Sequence, residues 1–187
     1  MVKKKACIFI SGQGTNLRNL IKKSRDYNFP ISIKLVISNN YKAPGILYAK
    51  KNNIPFLIVN TKFRNFEYKI LRELRSKGIS IICLAGYMKI ISKNFIKKFG
   101  KIIINIHPSL LPKFKGLNTF SRVLKYKEKK TGCTVHYVNE KLDGGKIILK
   151  KNFFISYKDD ENNLKLKTQK LEYLALPEAI IRIYRYN

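Results

Sequence analysis

The sequence predicts an α/β fold: a twisted, mostly parallel sheet of about seven strands with helices on both faces, the last strands antiparallel, and a long C-terminal helix. Three observations carry this. Short β-like apolar runs alternate with amphipathic stretches of helical period through the first half of the chain. Some runs are apolar throughout, as parallel strands buried on both faces are. Towards the C-terminus two strand-like runs lie too close together for a parallel crossover, so they pair antiparallel.

The elements follow in order. "ACIFIS" (6–11) is the first strand, and "NLRNLIKKSRDY" (16–27) a helix with Leu17, Leu20 and Ile21 on one face. "ISIKLVIS" (31–38) is the second strand, "APGILYAKKNN" (43–53) a short helix and "PFLIVN" (55–60) the third strand. "FEYKILRELRSKG" (66–78) reads as a helix closed by Gly78, and "ISIICLAG" (79–86) as a fully buried fourth strand. After "SKNFIKKFG" comes "KIIINI" (101–106), the fifth. "TGCTVHYVN" (131–139) and "GKIILKKNFFI" (145–155) are the antiparallel pair. A helix over 161–184 closes the chain, with Pro177 expected to kink or interrupt it. There is no internal repeat and no low-complexity linker, so residues 1–187 read as one domain.

Composition limits the function classes. No apolar run approaches the eighteen or so residues that a membrane helix needs. The basic start "MVKKKACIFISGQG" has too short an apolar stretch for a signal peptide and runs into a glycine turn, so it reads as a strand of a cytoplasmic protein. Cys7, Cys83 and Cys133 are odd in number, far apart and set in apolar runs; they read as buried reduced thiols. With no CxxC and two histidines, no metal site is expected. Lys and Arg number 39 against 11 Asp and Glu, a formal net charge of +28. Such a balance suggests an anionic partner, nucleic acid first. The lysines are scattered, however, and Lys, Asn, Ile, Phe and Tyr share A/T-rich codons. We therefore read the charge as compositional drift in preference to a specific nucleic-acid role.

Ligands of open α/β sheets sit beyond the carboxyl ends of the parallel strands. Three segments fall there: "SGQGTN" (11–16), "AGYMK" (85–89) and "NIHPSLLP" (105–112). In the first, Gly12 and Gly14 open a helix whose N-terminal N–H groups suit a phosphate, although a plain capped turn fits the local sequence equally. Leu17 at the third glycine position excludes a dinucleotide fingerprint. In the third, Asn105 and His107 stand at i and i+2 of a strand end and so share a side. An amide donor beside a titratable imidazole suits stabilising an oxyanion while moving a proton. Asp143, in "NEKLDGGK", is on local sequence a hairpin-turn aspartate, and His136, mid-strand, is structural or a support to the same site.

Taken together, "ISGQGTN", "LAGYMKIIS", "NIHPSLLPKFKG", "GCTVHYVNEKLDGGKII" and "TQKLEYLALPEAI" resemble, in order and spacing, the folate-dependent phosphoribosylglycinamide formyltransferase family. The resemblance runs over nearly the whole chain. It implies formyl transfer from 10-formyltetrahydrofolate, a co-substrate, to the amine of glycinamide ribonucleotide in purine synthesis. It implies Asn105, His107 and Asp143 as the catalytic set, with Asp143 holding His107 protonated. It further implies that Gly14, Thr15 and Asn16 bind the ribonucleotide and that Glu172 anchors the glycinamide amine. Arg64, Met88, Lys89, Ile90, Ile91 and Asn105 are implied for the folate. The chain departs from the family at "KGLNT", where Asn118 replaces a histidine. A methionyl-tRNA formyltransferase would need a second domain, and a formyltetrahydrofolate deformylase usually adds an N-terminal one. The reading from another class is a basic nucleic-acid-binding module with a vestigial pocket.

Overall fold

The structure, a computed structural model, describes residues 2–185. Its elements run β1 (Lys4–Ile10), α1 (Thr15–Ser24), β2 (Ile31–Ser38), α2 (Ile46–Lys51), β3 (Phe56–Ile58), α3 (Phe66–Ser76), β4 (Ile81–Leu84), α4 (Lys93–Phe99) and β5 (Ile102–His107). Then follow α5 (Thr119–Lys125), β6 (Lys130–Tyr137), β7 (Ile147–Phe154) and α6 (Glu161–Arg185). The strands form one seven-stranded sheet in the order β3-β2-β1-β4-β5-β6-β7. β1 pairs parallel with β2 and β4, and β2 parallel with β3, whereas β6 and β7 are antiparallel. The fold class read from the sequence is the fold observed. By packing, the chain forms two compact units divided between Ile104 and Asn105, inside β5.

In the first unit, β1 and β4 are buried along almost their whole length, which explains their unbroken apolar sequences. α1 turns Leu17, Leu20 and Ile21 inward, the face its periodicity marks. α4 starts at Ser92, whose Oγ accepts the Phe95 N–H at 3.0 Å, and Glu67 of α3 accepts both the Ser92 N–H (3.0 Å) and its hydroxyl (2.5 Å). This caps one helix from another and fixes the two together. Cys7 and Cys83 are fully buried here, and burial drives both thiols well above their ordinary range.

In the second unit α6 lies on β6 and β7. Pro177 neither ends nor interrupts this helix, contrary to one of the two outcomes expected of it. Ala175, Leu176, Pro177, Ala179 and Ile180 are all buried, and packing of that stretch offsets the roughly 3 kcal/mol that an interior proline costs. α5 is not evident in the sequence. Its seven residues are too few to show a period, and only Thr119 and Val123 are buried. Cys133 on β6 is also buried; burial first, then the Glu172 charge, pushes its thiol up to about 12.

Candidate active site

β5 ends in Asn105 and His107, and the next residues explain why it stops. Pro108 has no N–H to continue a ladder. Ser109 is fully buried, and its Oγ donates to the Lys113 carbonyl at 2.8 Å. Thr134 of β6 donates to the Ser109 carbonyl (2.7 Å) and accepts the Leu111 N–H (3.1 Å). The turn is thereby tied to β6 by one buried hydroxyl. The Leu111–Pro112 peptide is cis.

Three side chains of this unit meet around one carboxylate. Asp143 accepts the Gly116 N–H on Oδ2 (2.8 Å) and the Asn105 amide N–H on Oδ1 (3.3 Å). His107 Nδ1 lies 3.4 Å from Oδ2, and His136 Nε2 lies 3.6 Å from Oδ1. Asn105 Nδ2 also faces His136 Nε2 at 3.2 Å. The i, i+2 placement on β5 therefore does put Asn105 and His107 on one side. His136 is part of the same cluster, and β6 shifts register against β7 between Val135 and His136, where that imidazole turns into it.

The carbonyl partners fix where the ring protons sit. His107 Nε2 is 2.9 Å from the Phe114 carbonyl and His136 Nδ1 is 2.8 Å from the Tyr137 carbonyl. A carbonyl only accepts, so both of these nitrogens carry hydrogen. In the neutral rings, His136 Nε2 is left to accept from Asn105, and His107 Nδ1 presents a lone pair to Asp143. Each N–H of the Asn105 amide thus has an acceptor within the cluster.

His107 is only 5% exposed. Burial lowers its pKa below the ordinary 6.5, and the Phe114 carbonyl and Asp143, which raise it, do not make up the difference. Desolvation thus opposes the charge that Asp143 was expected to hold on His107, and it is the largest influence on the ring. Asp143 behaves differently. Burial raises its pKa, but its polar neighbours, His136, the Gly116 N–H and His107, together hold it below the ordinary 3.8. It is a buried anion with His107 Nδ1 beside it.

The loop bearing Asp143 is strained for this placement. Asp143 has φ +46°, a left-handed backbone costing about 1–3 kcal/mol in a non-glycine residue. Gly145 follows because a Cβ there would overlap the Tyr137 carbonyl. Asn118 also lies in the left-handed region, at φ +55°, where it forms the N-cap of α5. Asparagine tolerates that backbone better than most residues, so Asn118 suits its place. Glu172 sits part-buried on α6, where its charge reaches Cys133 of β6.

The remaining expected residues lie in the first unit. Gly14, at φ +69°, is the N-cap of α1, and a Cβ on it would run into the Gly45 backbone. Thr15 and Asn16 form the first turn of α1, which contains no acidic residue. After β4, the segment from Met88 divides: Met88 is 63% and Ile90 76% exposed, Lys89 is exposed, and Ile91 turns into the core. The Met88 N–H donates to Ser11 Oγ (2.8 Å), whose hydroxyl donates to Asn39 (2.5 Å). Ser11 thus ties the 88–91 segment to the first glycine loop, a link that spacing alone does not reveal. Arg64 is exposed between β3 and α3. Among the described residues no group of three or more His, Cys, Asp or Glu is placed to hold a metal ion, and no helix is long and apolar enough to cross a membrane.

The phosphoribosylglycinamide formyltransferase of Haemophilus influenzae is 39% identical over 183 residues, covering 95% of this chain and 85% of that one. The trifunctional purine biosynthetic protein adenosine-3 of Drosophila melanogaster is 37% identical over 95% of this chain, which spans only 14% of that longer protein. The crystal structure of phosphoribosylglycinamide formyltransferase from Anaplasma phagocytophilum superposes with a TM-score of 0.94 at 36% identity, covering 99% of this chain and 88% of that one. The formyl transferase family model matches residues 4–180. The chain belongs to the formyl transferase family.

Proposed function

We propose that the whole chain is a single formyltransferase domain that moves the formyl group of 10-formyltetrahydrofolate to the amine of glycinamide ribonucleotide, yielding formylglycinamide ribonucleotide and tetrahydrofolate. The observation that carries this is the cluster of Asn105, His107 and His136 around one buried carboxylate. The acceptor and the transferred formyl group are those in the names of the similar proteins, and the folate donor is the one the sequence motifs imply.

The chemistry follows from the charges. The amine attacks the formyl carbon, and the formyl oxygen becomes negative. Asn105 turns one amide N–H from the cluster to that oxygen. The developing charge raises the proton affinity of His107, whose Nδ1 is open and faces Asp143. The proton leaving the attacking amine passes to Asp143 or, through it, to that nitrogen. It is then returned to the departing folate nitrogen. A buried His107 is well poised for this, because its pKa need only rise as the oxyanion forms.

We assign Gly14, Thr15 and Asn16 to the ribonucleotide phosphate, supported by a helix start free of acidic side chains. Met88, Lys89 and Ile90 are accessible walls for the folate ring, Ile91 contributes through its backbone, and Arg64 pairs with the folate carboxylates. Glu172 takes the glycinamide amine. A cytoplasmic location and the absence of a specific nucleic-acid partner belong to the same reading.

Incubation of the protein with both substrates tests it. Stoichiometric formylglycinamide ribonucleotide and tetrahydrofolate are expected. Tetrahydrofolate and formate released equally fast without the ribonucleotide would indicate a deformylase instead.

A further inference from the structure

The loop that follows β5 supplies two of the backbone groups on which the cluster depends, the Phe114 carbonyl on His107 and the Gly116 N–H on Asp143. Its path is unusual. Phe114 (φ +55°), Gly116 (+77°) and Asn118 (+55°) are all left-handed. Glycine adopts this freely and asparagine tolerably, but a phenylalanine there is under steric strain. A backbone of this kind persists only where its surroundings over-determine it.

Within the cluster, His107, Ser109 and Asp143 hold the loop. From α5 a further side chain grips it. Arg122 Nη1 donates to the Lys115 carbonyl at 2.6 Å and to the Leu117 carbonyl at 3.4 Å, the two residues flanking Gly116. Its guanidinium carbon also stands 5.5 Å from the centroid of the Phe114 ring. One side chain thus touches the strained Phe114 and brackets the donor Gly116. Its base is firm, since Thr119 and Val123 of α5 are buried and α5 packs on α6. A planar guanidinium can stack on a ring and donate in its own plane at once, which an ammonium cannot.

We propose that Arg122 is a positioning residue that locks residues 114–117, so that the Phe114 carbonyl stays on His107 and the Gly116 N–H stays on Asp143. It does not touch the reacting atoms. Its charge adds to the burial that lowers the His107 pKa.

Two variants, Arg122→Met and Arg122→Lys, decide this. Methionine keeps an apolar stem over Phe114 but removes every donor, whereas lysine keeps a charged donor without the plane. The first readout is amide exchange in the ligand-free protein. The Gly116 N–H is expected to exchange at least about tenfold faster in Arg122→Met, since hydrogen bonds from a charged group are worth about that factor or more. Val135, buried on β6, is expected to keep its wild-type rate, and Arg122→Lys to recover part of the Gly116 protection. The second readout rests on the formyl-transfer reading: kcat falls roughly 10–100-fold in Arg122→Met with each KM within about threefold, the scale of a misplaced catalytic group. An inactive wild-type protein would sink the formyl-transfer reading while leaving amide exchange to judge Arg122. Wild-type exchange at Gly116 overturns the proposal, as does equal acceleration at Val135. An Arg122→Met chain that does not fold overturns it too, because the residue would then support the whole unit and not the loop.

Discussion

Replacement of Asp143 by asparagine separates the two tasks that the carboxylate performs. The first is structural, acceptance of the Gly116 N–H (2.8 Å) and the Asn105 amide (3.3 Å). Asparagine keeps an acceptor oxygen, so one of these bonds survives as a neutral pair, at about half the strength of a charge-assisted one. The resulting loss of stability is about 1–2 kcal/mol. The second task is proton transfer, which a neutral amide cannot perform. Loss of acid–base assistance lowers turnover by roughly 10²–10⁴, equivalent to about 2.7–5.5 kcal/mol in the barrier. The catalytic effect therefore exceeds the structural one, and it falls on kcat. The assay is steady-state transfer from 10-formyltetrahydrofolate to glycinamide ribonucleotide, with thermal unfolding measured alongside. A companion measurement uses the fact that the chain has only two histidines. In Asp143→Asn one of the two causes that raise the His107 pKa is gone, the Phe114 carbonyl remaining, so its NMR titration midpoint moves further down. Near-normal turnover in a folded Asp143→Asn protein would refute the assignment. A midpoint that rises would refute the electrostatics.

Glu172→Gln is expected to raise the KM for glycinamide ribonucleotide about tenfold or more while folate binding changes little; equal use of both substrates removes the glycinamide anchor from α6. Acid stability follows from two depressed pKa values. Unfolded histidine takes up a proton near pH 6.5 and unfolded aspartate near 3.8, whereas folded His107 and Asp143 do so lower. The unfolded chain thus binds more protons, and the free energy of unfolding falls as pH drops below about 6.5 and falls again below about 4. His107→Asn flattens the upper part of that fall, and an unchanged slope counts against it. With a net charge of +28 and two anionic substrates, kcat/KM declines as salt rises and kcat holds, because screening acts over about 10 Å at 0.1 M. RNA in excess is expected to bind weakly and without a preferred sequence. Tight binding of one structured RNA at physiological salt, with no formyl transfer at any salt, reverses the assignment to the basic binding module.

The sequence by itself determined the sheet, because strand and helix periods are local properties of neighbouring side chains. The apolar runs at 79–86 and 101–106 mark β4 and β5, and Leu17, Leu20 and Ile21 mark the inner face of α1. It also determined that Asn105 and His107 share a side, since strand alternation fixes that within three residues. Asp143 stood out only by resemblance: nothing local tells a turn aspartate from one aimed at a histidine 36 positions earlier in the chain. Tertiary structure decided the rest. It placed His136 in the cluster beside a register shift, placed Arg122 over a loop that no periodicity marks, and let α6 run through Pro177 on a locally buried stretch. It also set burial against the charge expected on His107. Proximity to Asp143 can be anticipated from motifs, but desolvation is set by everything packed around the ring, and here that term is the larger.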